Sequence, residues 1–185
     1  MKMMTTKQNN SLTKILSVVF AFAVLAITAS QAQAQTQAVF NLRSLDGGNV
    51  TADELRGKVV VLAVGASWLP LSSEEAASIK RLAAKYALKN VEFYWVFTDS
   101  TSPKSRNYAS DDDLKAFAKN NSLPVNLLRD PDGIQMKKLG VTQVPAFVVI
   151  DKNTKIFGSI MEGIEPDGGS TTQLEKKIVD ALSAR

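Results

Sequence analysis

The stretch Lys58–Phe97, KVVVLAVGASWLPLSSEEAASIKRLAAKYALKNVEFYWVF, carries the pattern that decides the fold. It opens with Lys58 to Val64, a β-branched run with apolar residues on both parities. Such a run fits a central strand covered on both faces. Ser72 and Ser73 then stand as N-cap candidates, with Glu74 and Glu75 in the first turn, where the helix dipole favours negative charge. Ile79, Leu82, Ala83 and Tyr86 recur at helical spacing, which predicts an amphipathic helix over 74–87. Val91 to Phe97 reads as a second buried strand. Strand, helix and strand at this spacing make a βαβ unit with parallel pairing and a right-handed crossover.

Toward the N-terminus, Val39 to Leu45 shows apolar alternation and Asp46-Gly47-Gly48 supplies a turn, so an edge hairpin is expected. Thr51 is expected to cap a short turn over Ala52 to Leu55. Toward the C-terminus, Thr98 to Tyr108 is a polar loop, and Ser110 caps a helix through Asn120. Val125 to Leu128 is a short strand, and Asp130 to Gly133 a turn into a helix ending near Leu139. Ala146 to Ile150 and Ile156 to Ile160 read as an antiparallel hairpin. Thr171 or Thr172 caps a last helix whose apolar face is Leu174, Ile178, Ala181 and Leu182. The expected class is one α/β domain of three layers around a mixed sheet.

Upstream of this domain, Lys2, Lys7 and Lys14 precede the apolar run ILSVVFAFAVLAI at Ile15–Ile27, and Ala32-Gln33-Ala34 follows. That is the layout of a secretory signal peptide over residues 1–34, with cleavage after Ala34. The run is shorter than the roughly 20 residues of a membrane-spanning helix. An uncleaved anchor is the alternative, and only then does the chain touch a membrane. Either way the folded part is expected outside the cytoplasmic membrane, periplasmic or extracellular. Residues 35–38 are a linker, and 39–185 form the domain.

Among its 185 residues the chain has no Cys and no His. Without Cys there is no disulfide, no thiolate nucleophile and no Fe–S cluster. Without His there is no Ser-His-Asp triad and no zinc site of the usual kind. The net charge of +4 comes largely from the three leader lysines, whose removal leaves 19 basic residues against 18 acidic ones. No basic stripe supports nucleic-acid binding. Serines 72 and 73 lack a neighbouring base and read as caps rather than nucleophiles. Asp111-Asp112-Asp113 reads as a helix start and Asp130-Pro131-Asp132 as a turn, rather than as a converging calcium loop. No metal and no cofactor are expected. Phe93, Tyr94, Trp95 and Phe97 read as core.

Three stretches, in order, resemble one family. FNLRSLDGGNVTADELRGKVVVL looks like its N-terminal hairpin and entry strand, and GASWLPLSSEE sits where it has a tryptophan, C-x-x-C and an acidic helix start. FAKNNSLPVNLLRDPDGIQMKKLGVTQVPAFVVIDKNTKI looks like its later half, with a V-x-x-V-P segment. Residues 40–164 thus resemble the TlpA-like (redoxin, AhpC/TSA-like) branch of the thioredoxin superfamily. The resemblance implies a thioredoxin-like three-layer fold with an N-terminal β-hairpin extension, a cis bond before Pro145, and an exposed turn facing that proline.

The family's chemistry does not carry over. Where it has Cys-x-x-Cys, this chain has Leu69, Pro70, Leu71 and Ser72. Thiol–disulfide exchange needs a low-pKa thiolate and a resolving thiol. Two readings of the turn stay open. In one, Trp68, Leu69, Pro70, Leu71 and Ser72, with Val144 and Pro145, form a retained surface for a protein or extended peptide, with Val144 offering strand-like backbone pairing. In the other, the turn is a decayed active site. The expectation is an exported, redox-inactive protein that binds a partner. The alternatives are a thiol–disulfide or peroxide-reducing enzyme by ancestry, and a structural subunit of an envelope assembly.

Overall fold

The computed structural model describes residues 36–70, 72–163 and 169–184. The expected leader and its cleavage site lie outside the described residues. The strands are β1 (Asn41–Ser44), β2 (Asn49–Thr51), β3 (Val59–Gly65), β4 (Val91–Phe97), β5 (Asn126–Arg129), β6 (Ala146–Ile150) and β7 (Met161–Glu162). The α-helices are α1 (Ser72–Tyr86), α2 (Asp111–Asn120), α3 (Ile134–Lys138) and α4 (Gly169–Ser183). Short 3-10 turns occupy Asp53–Leu55 and Pro131–Gly133. Among the described residues no helix is long and apolar enough to cross a membrane.

The strands form one sheet in the order β2-β1-β5-β4-β3-β6-β7. β3 pairs in parallel with β4 from Val59↔Val91 to Gly65↔Phe97, and β4 pairs in parallel with β5. β6 runs antiparallel to β3 and β7, and β1 antiparallel to β2 and β5. This is the expected mixed sheet, with the N-terminal hairpin at one edge.

The two apolar parities of β3 have two destinations. Val59, Val61 and Ala63 join one core with Ile79 and Leu82 of α1, Leu114 of α2, and Leu174 and Ile178 of α4. Val60, Leu62 and Val64 join the other, with Phe40, Leu55, Met136 and Leu139. Every residue of β3 is buried, and each Val or Leu so buried stabilises the fold by roughly 1.5–3 kcal/mol. The aromatic strand is core, as expected. Trp95 packs on Phe97 and Phe117 with ring centroids 5.9 and 5.8 Å away.

The acidic run at α2 serves the helix start. Ser110 Oγ accepts the Asp113 amide while the Asp113 carboxylate accepts the Ser110 amide at 2.9 Å, a capping box. Asp111 is held between Arg43 at 2.8 Å and the buried Arg129 at 2.5 Å.

The structure corrects four local expectations. The return arm of the C-terminal hairpin is not Ile156–Ile160. Ile156 bridges Ile150 through its neighbours, the Asp151 amide donating to the Lys155 carbonyl at 2.8 Å and the Phe157 amide to the Val149 carbonyl at 2.7 Å, while its own amide, on the far edge, donates to the Thr36 carbonyl. The left-handed Gly158 (φ 69°) then turns the chain out of register, and pairing resumes at Met161–Glu162. Thr51 does not cap the turn after it, because it is still paired with Asn41 in β2; its amide donates to Glu54. Ser72 lies inside α1, with its hydroxyl donating to the Ala66 carbonyl. Thr171 and Thr172 lie inside α4, and the Thr171 hydroxyl pairs with that of Ser78.

Candidate functional site

The chain leaves the central strand β3 at Gly65 and must reverse into α1 within a few residues. Side chains from elsewhere hold that reversal. The buried Asp99 carboxylate, just past the end of β4, accepts the Ser67 hydroxyl at 2.6 Å and the Ser67 amide at 3.1 Å. The Ala66 carbonyl accepts the Leu69 amide at 3.2 Å and the Ser72 hydroxyl at 2.7 Å. The Ser72 amide donates to the Leu69 carbonyl at 3.1 Å, which closes the turn. Trp68, between these ties, is left 51% exposed.

Opposite stands the segment leading into β6. The Val144–Pro145 peptide bond is cis, as the resemblance implies. The Glu162 carboxylate of β7 holds the approach to it, accepting the Thr142 amide, the Thr142 hydroxyl and the Gln143 amide. These bonds hold the Glu162 carboxyl below the usual carboxylate range. The Pro145 carbonyl accepts the Gly163 amide at 2.9 Å. The Val144 amide and carbonyl take no hydrogen bond among the described residues. Trp68 and Val144 line one open cleft of about 340 Å³, together with Thr98, Asn107, Met136 and Val141.

Beneath the turn lies a carboxyl that sequence reasoning assigned to the helix dipole. Glu75 is fully buried, and neither of its oxygens has a hydrogen-bond partner among the described residues. Burial pushes it well above the usual carboxylate range. The indole N–H of Trp95 is also buried without a partner.

The seven residues singled out from sequence therefore divide. Trp68 and Val144 come together on the cleft. Leu69 is half-buried and Pro70 exposed. Leu71 lies outside the described residues. Ser72 and Pro145, expected on the docking surface, are buried and shape it from behind. Sequence reasoning missed Asp99, Glu162, Met136 and Asn107. The signal for Asp99 was an acid directly following an apolar strand; Glu162 and Asn107 had none.

The chain matches the model of the AhpC/TSA family over residues 33–158. It is 28% identical over 121 residues to a thiol-disulfide oxidoreductase ResA from Bacillus thuringiensis subsp. konkukian, covering 65% of this chain and 65% of that protein. The chain thus spans just under two thirds of that relative's length. Among solved structures it is similar to a Chlorobium tepidum protein assigned as a thiol:disulfide interchange protein DsbE. There the TM-score is 0.68 and the identity 26%, over 80% of this chain and 96% of that one. It also shares its fold with a thioredoxin-like protein from Aeropyrum pernix, at TM-score 0.63 and 19% identity over 90% and 99% of the two chains. With a thioredoxin-like fold and a family model matching well over half its length, the chain belongs to the AhpC/TSA family.

Proposed function

We propose that this protein is an exported, redox-inactive member of its family that holds a protein or extended peptide on the face formed by Trp68, Leu69, Pro70 and the Val144 backbone. Its ancestry is thiol–disulfide oxidoreductase-like. The four positions of the former reactive turn carry no sulfur, and no Cys exists elsewhere in the chain to supply one. The leader pattern of residues 1–34 supports export.

One observation carries the binding reading. Among the described residues the Val144 amide and carbonyl have no partner, and they lie beside a half-exposed tryptophan on a shared cleft. An extended peptide that paired there would satisfy both backbone groups and cover the indole, combining main-chain affinity with an aromatic anchor.

Two measurements test this. The protein should not accelerate insulin reduction by dithiothreitol, whereas Leu69→Cys plus Ser72→Cys should, because the Leu69–Ser72 turn brings the two positions together. Turnover by the native chain refutes redox inactivity. In a pull-down from the exported fraction, a partner retained by the native chain should be lost on Trp68→Asp plus Leu69→Asp. Unchanged retention refutes the assigned face.

A further inference from the structure

Sulfur has not left this chain entirely. Beyond the leader it survives as two thioethers, Met136 and Met161, and the two differ in access. Met136 meets the Trp68 cleft but is only 1% exposed, held in the core with Leu62 and Leu139. Met161 is half-buried on the edge strand β7. It packs against the core that α1 and α4 cover, and it also lines an open cavity of about 410 Å³ beside α4. Ser159, Ser170, Gln173 and Lys177 give that cavity a polar wall. The Lys177 ammonium donates there to the carbonyl and the hydroxyl of Ser159. A small polar oxidant finds room and hydrogen-bonding groups in it. With no thiol in the chain to react first, the Met161 thioether is the most readily oxidised group it meets there.

Met161 stands next to the residue that holds the approach to Pro145. β7 is two residues long, with Met161 opposite Phe147 and Glu162 opposite Ala146. The Glu162 carboxylate accepts from Thr142 and Gln143, and the Gly163 amide donates to the Pro145 carbonyl at 2.9 Å. So short an edge has few ladder bonds of its own, and the packing of Met161 on the core holds it in place. A sulfoxide puts a polar S–O group on that side chain. Oxidation of this kind disrupts apolar contacts, because the new oxygen must find hydrogen bonds that the core does not offer. The cavity does offer them, so the oxidised side chain turns outward and β7 loses its hold on the core. Glu162 moves with it.

We propose that Met161 is an oxidation site, where a hydroperoxide converts the thioether to the sulfoxide and so releases residues 142–145 from Glu162. The sulfur lone pair attacks the terminal peroxide oxygen, and the S–O bond forms as the O–O bond breaks. Sulfur gives up two electrons and the peroxide takes them. The departing oxygen takes the proton of the attacked one and leaves as an alcohol, or as water when the oxidant is hydrogen peroxide. A methionine sulfoxide reductase reverses the step. This goes beyond the docking reading and does not depend on it, because the readout is the exchange of two backbone amides.

Hydrogen peroxide added to the full chain tests it. Peptide mass mapping should find one added oxygen on Met161 well before Met136. Hydrogen exchange at Thr142 and Gln143 should then speed up by about tenfold or more, while β3 and β4 keep their native protection. A methionine sulfoxide reductase with dithiothreitol should return both amides to slow exchange. Met161→Leu, a swap of similar volume that cores tolerate, should show native exchange before and after peroxide. Oxidation of Met136 ahead of Met161 overturns the assignment of the site. Oxidised Met161 with unchanged exchange at the two amides overturns the link to Glu162, as does an increase that also appears in Met161→Leu. Exchange that stays fast after the sulfoxide is reduced overturns it too, and that arm needs no variant.

Discussion

The carboxylate of Glu162 accepts both the amide of Thr142, at 2.5 Å, and its hydroxyl, at 2.8 Å. A side chain on the short edge strand β7 thereby sets the segment that presents Val144. Glu162→Ala should free two amides, and hydrogen exchange at Thr142 and Gln143 should speed up by about tenfold or more with global stability little changed. The same bonds lower the folded-state pKa of Glu162. Their contribution is present above the unfolded pKa and lost as pH falls through the folded one. Protection of these two amides should therefore fade in acid, below the usual carboxylate range. Unchanged exchange in the variant would show that the loop needs no clamp.

Glu75 titrates in the opposite sense. Burial raises its folded-state pKa above the unfolded value, so the stability it permits is full in acid and declines as pH rises from the ordinary carboxylate range toward the folded value. Glu75→Gln should flatten that decline. Glu75→Met, which fills the space without a polar group, should raise stability at neutral pH by roughly 1–3 kcal/mol, the cost of an unpaired buried polar group. Thermal melts between pH 5 and 8 read both effects. A methionine variant that melts at or below the native temperature would mean the carboxyl is better satisfied than its surroundings indicate.

Gly65 ends β3 where no side chain fits. A Cβ there would stand 2.9 Å from Glu75 Oε2 and 3.0 Å from the Trp95 ring. Gly65→Ala should cost about 1–3 kcal/mol by overpacking. Combined with Glu75→Ala, part of that loss should return, and a double-mutant cycle measures the coupling. Strict additivity would place the clash on Trp95 alone.

Arg129 is buried. It donates to Asp111 at 2.5 Å, to the Ser100 carbonyl at 3.1 Å and to the Ala109 carbonyl at 2.5 Å. It therefore ties both ends of the loop that carries Asn107 to the cleft. Arg129→Met should destabilise the fold by about 3 kcal/mol and open residues 101–108 to limited proteolysis. Denaturant unfolding and the position of the first cut are the readouts. A variant with native stability and an intact loop would assign the loop's order to its own turns.

Some of the site was open to sequence reading and some was not. Trp68 and Val144 were found through the family resemblance, which places a tryptophan before the reactive turn and a V-x-x-V-P segment opposite it. Glu75 was within reach: it shares the i, i+4, i+7, i+11 face of Ile79, Leu82 and Tyr86, all buried in α1. Its place in the first turn invited the dipole reading instead. The misplaced return strand has a different cause. The arm pairs with β6 as far as Phe157, and the left-handed Gly158 (φ 69°) then turns it away; a glycine permits such a turn without announcing it.

From the residues alone came the periods and the exclusions. Alternation and helical spacing follow from the geometry of a single backbone segment, and so the βαβ unit, its buried strands and its helix faces could be read directly. The lack of any thiol or imidazole is a property of composition. The tertiary structure alone decided which side chains meet: Asp99 with Ser67, Glu162 with Thr142, Arg129 with the loop beside the cleft. Those contacts depend on strand order and register across the sheet, which join segments far apart in the chain and leave no period within any one of them.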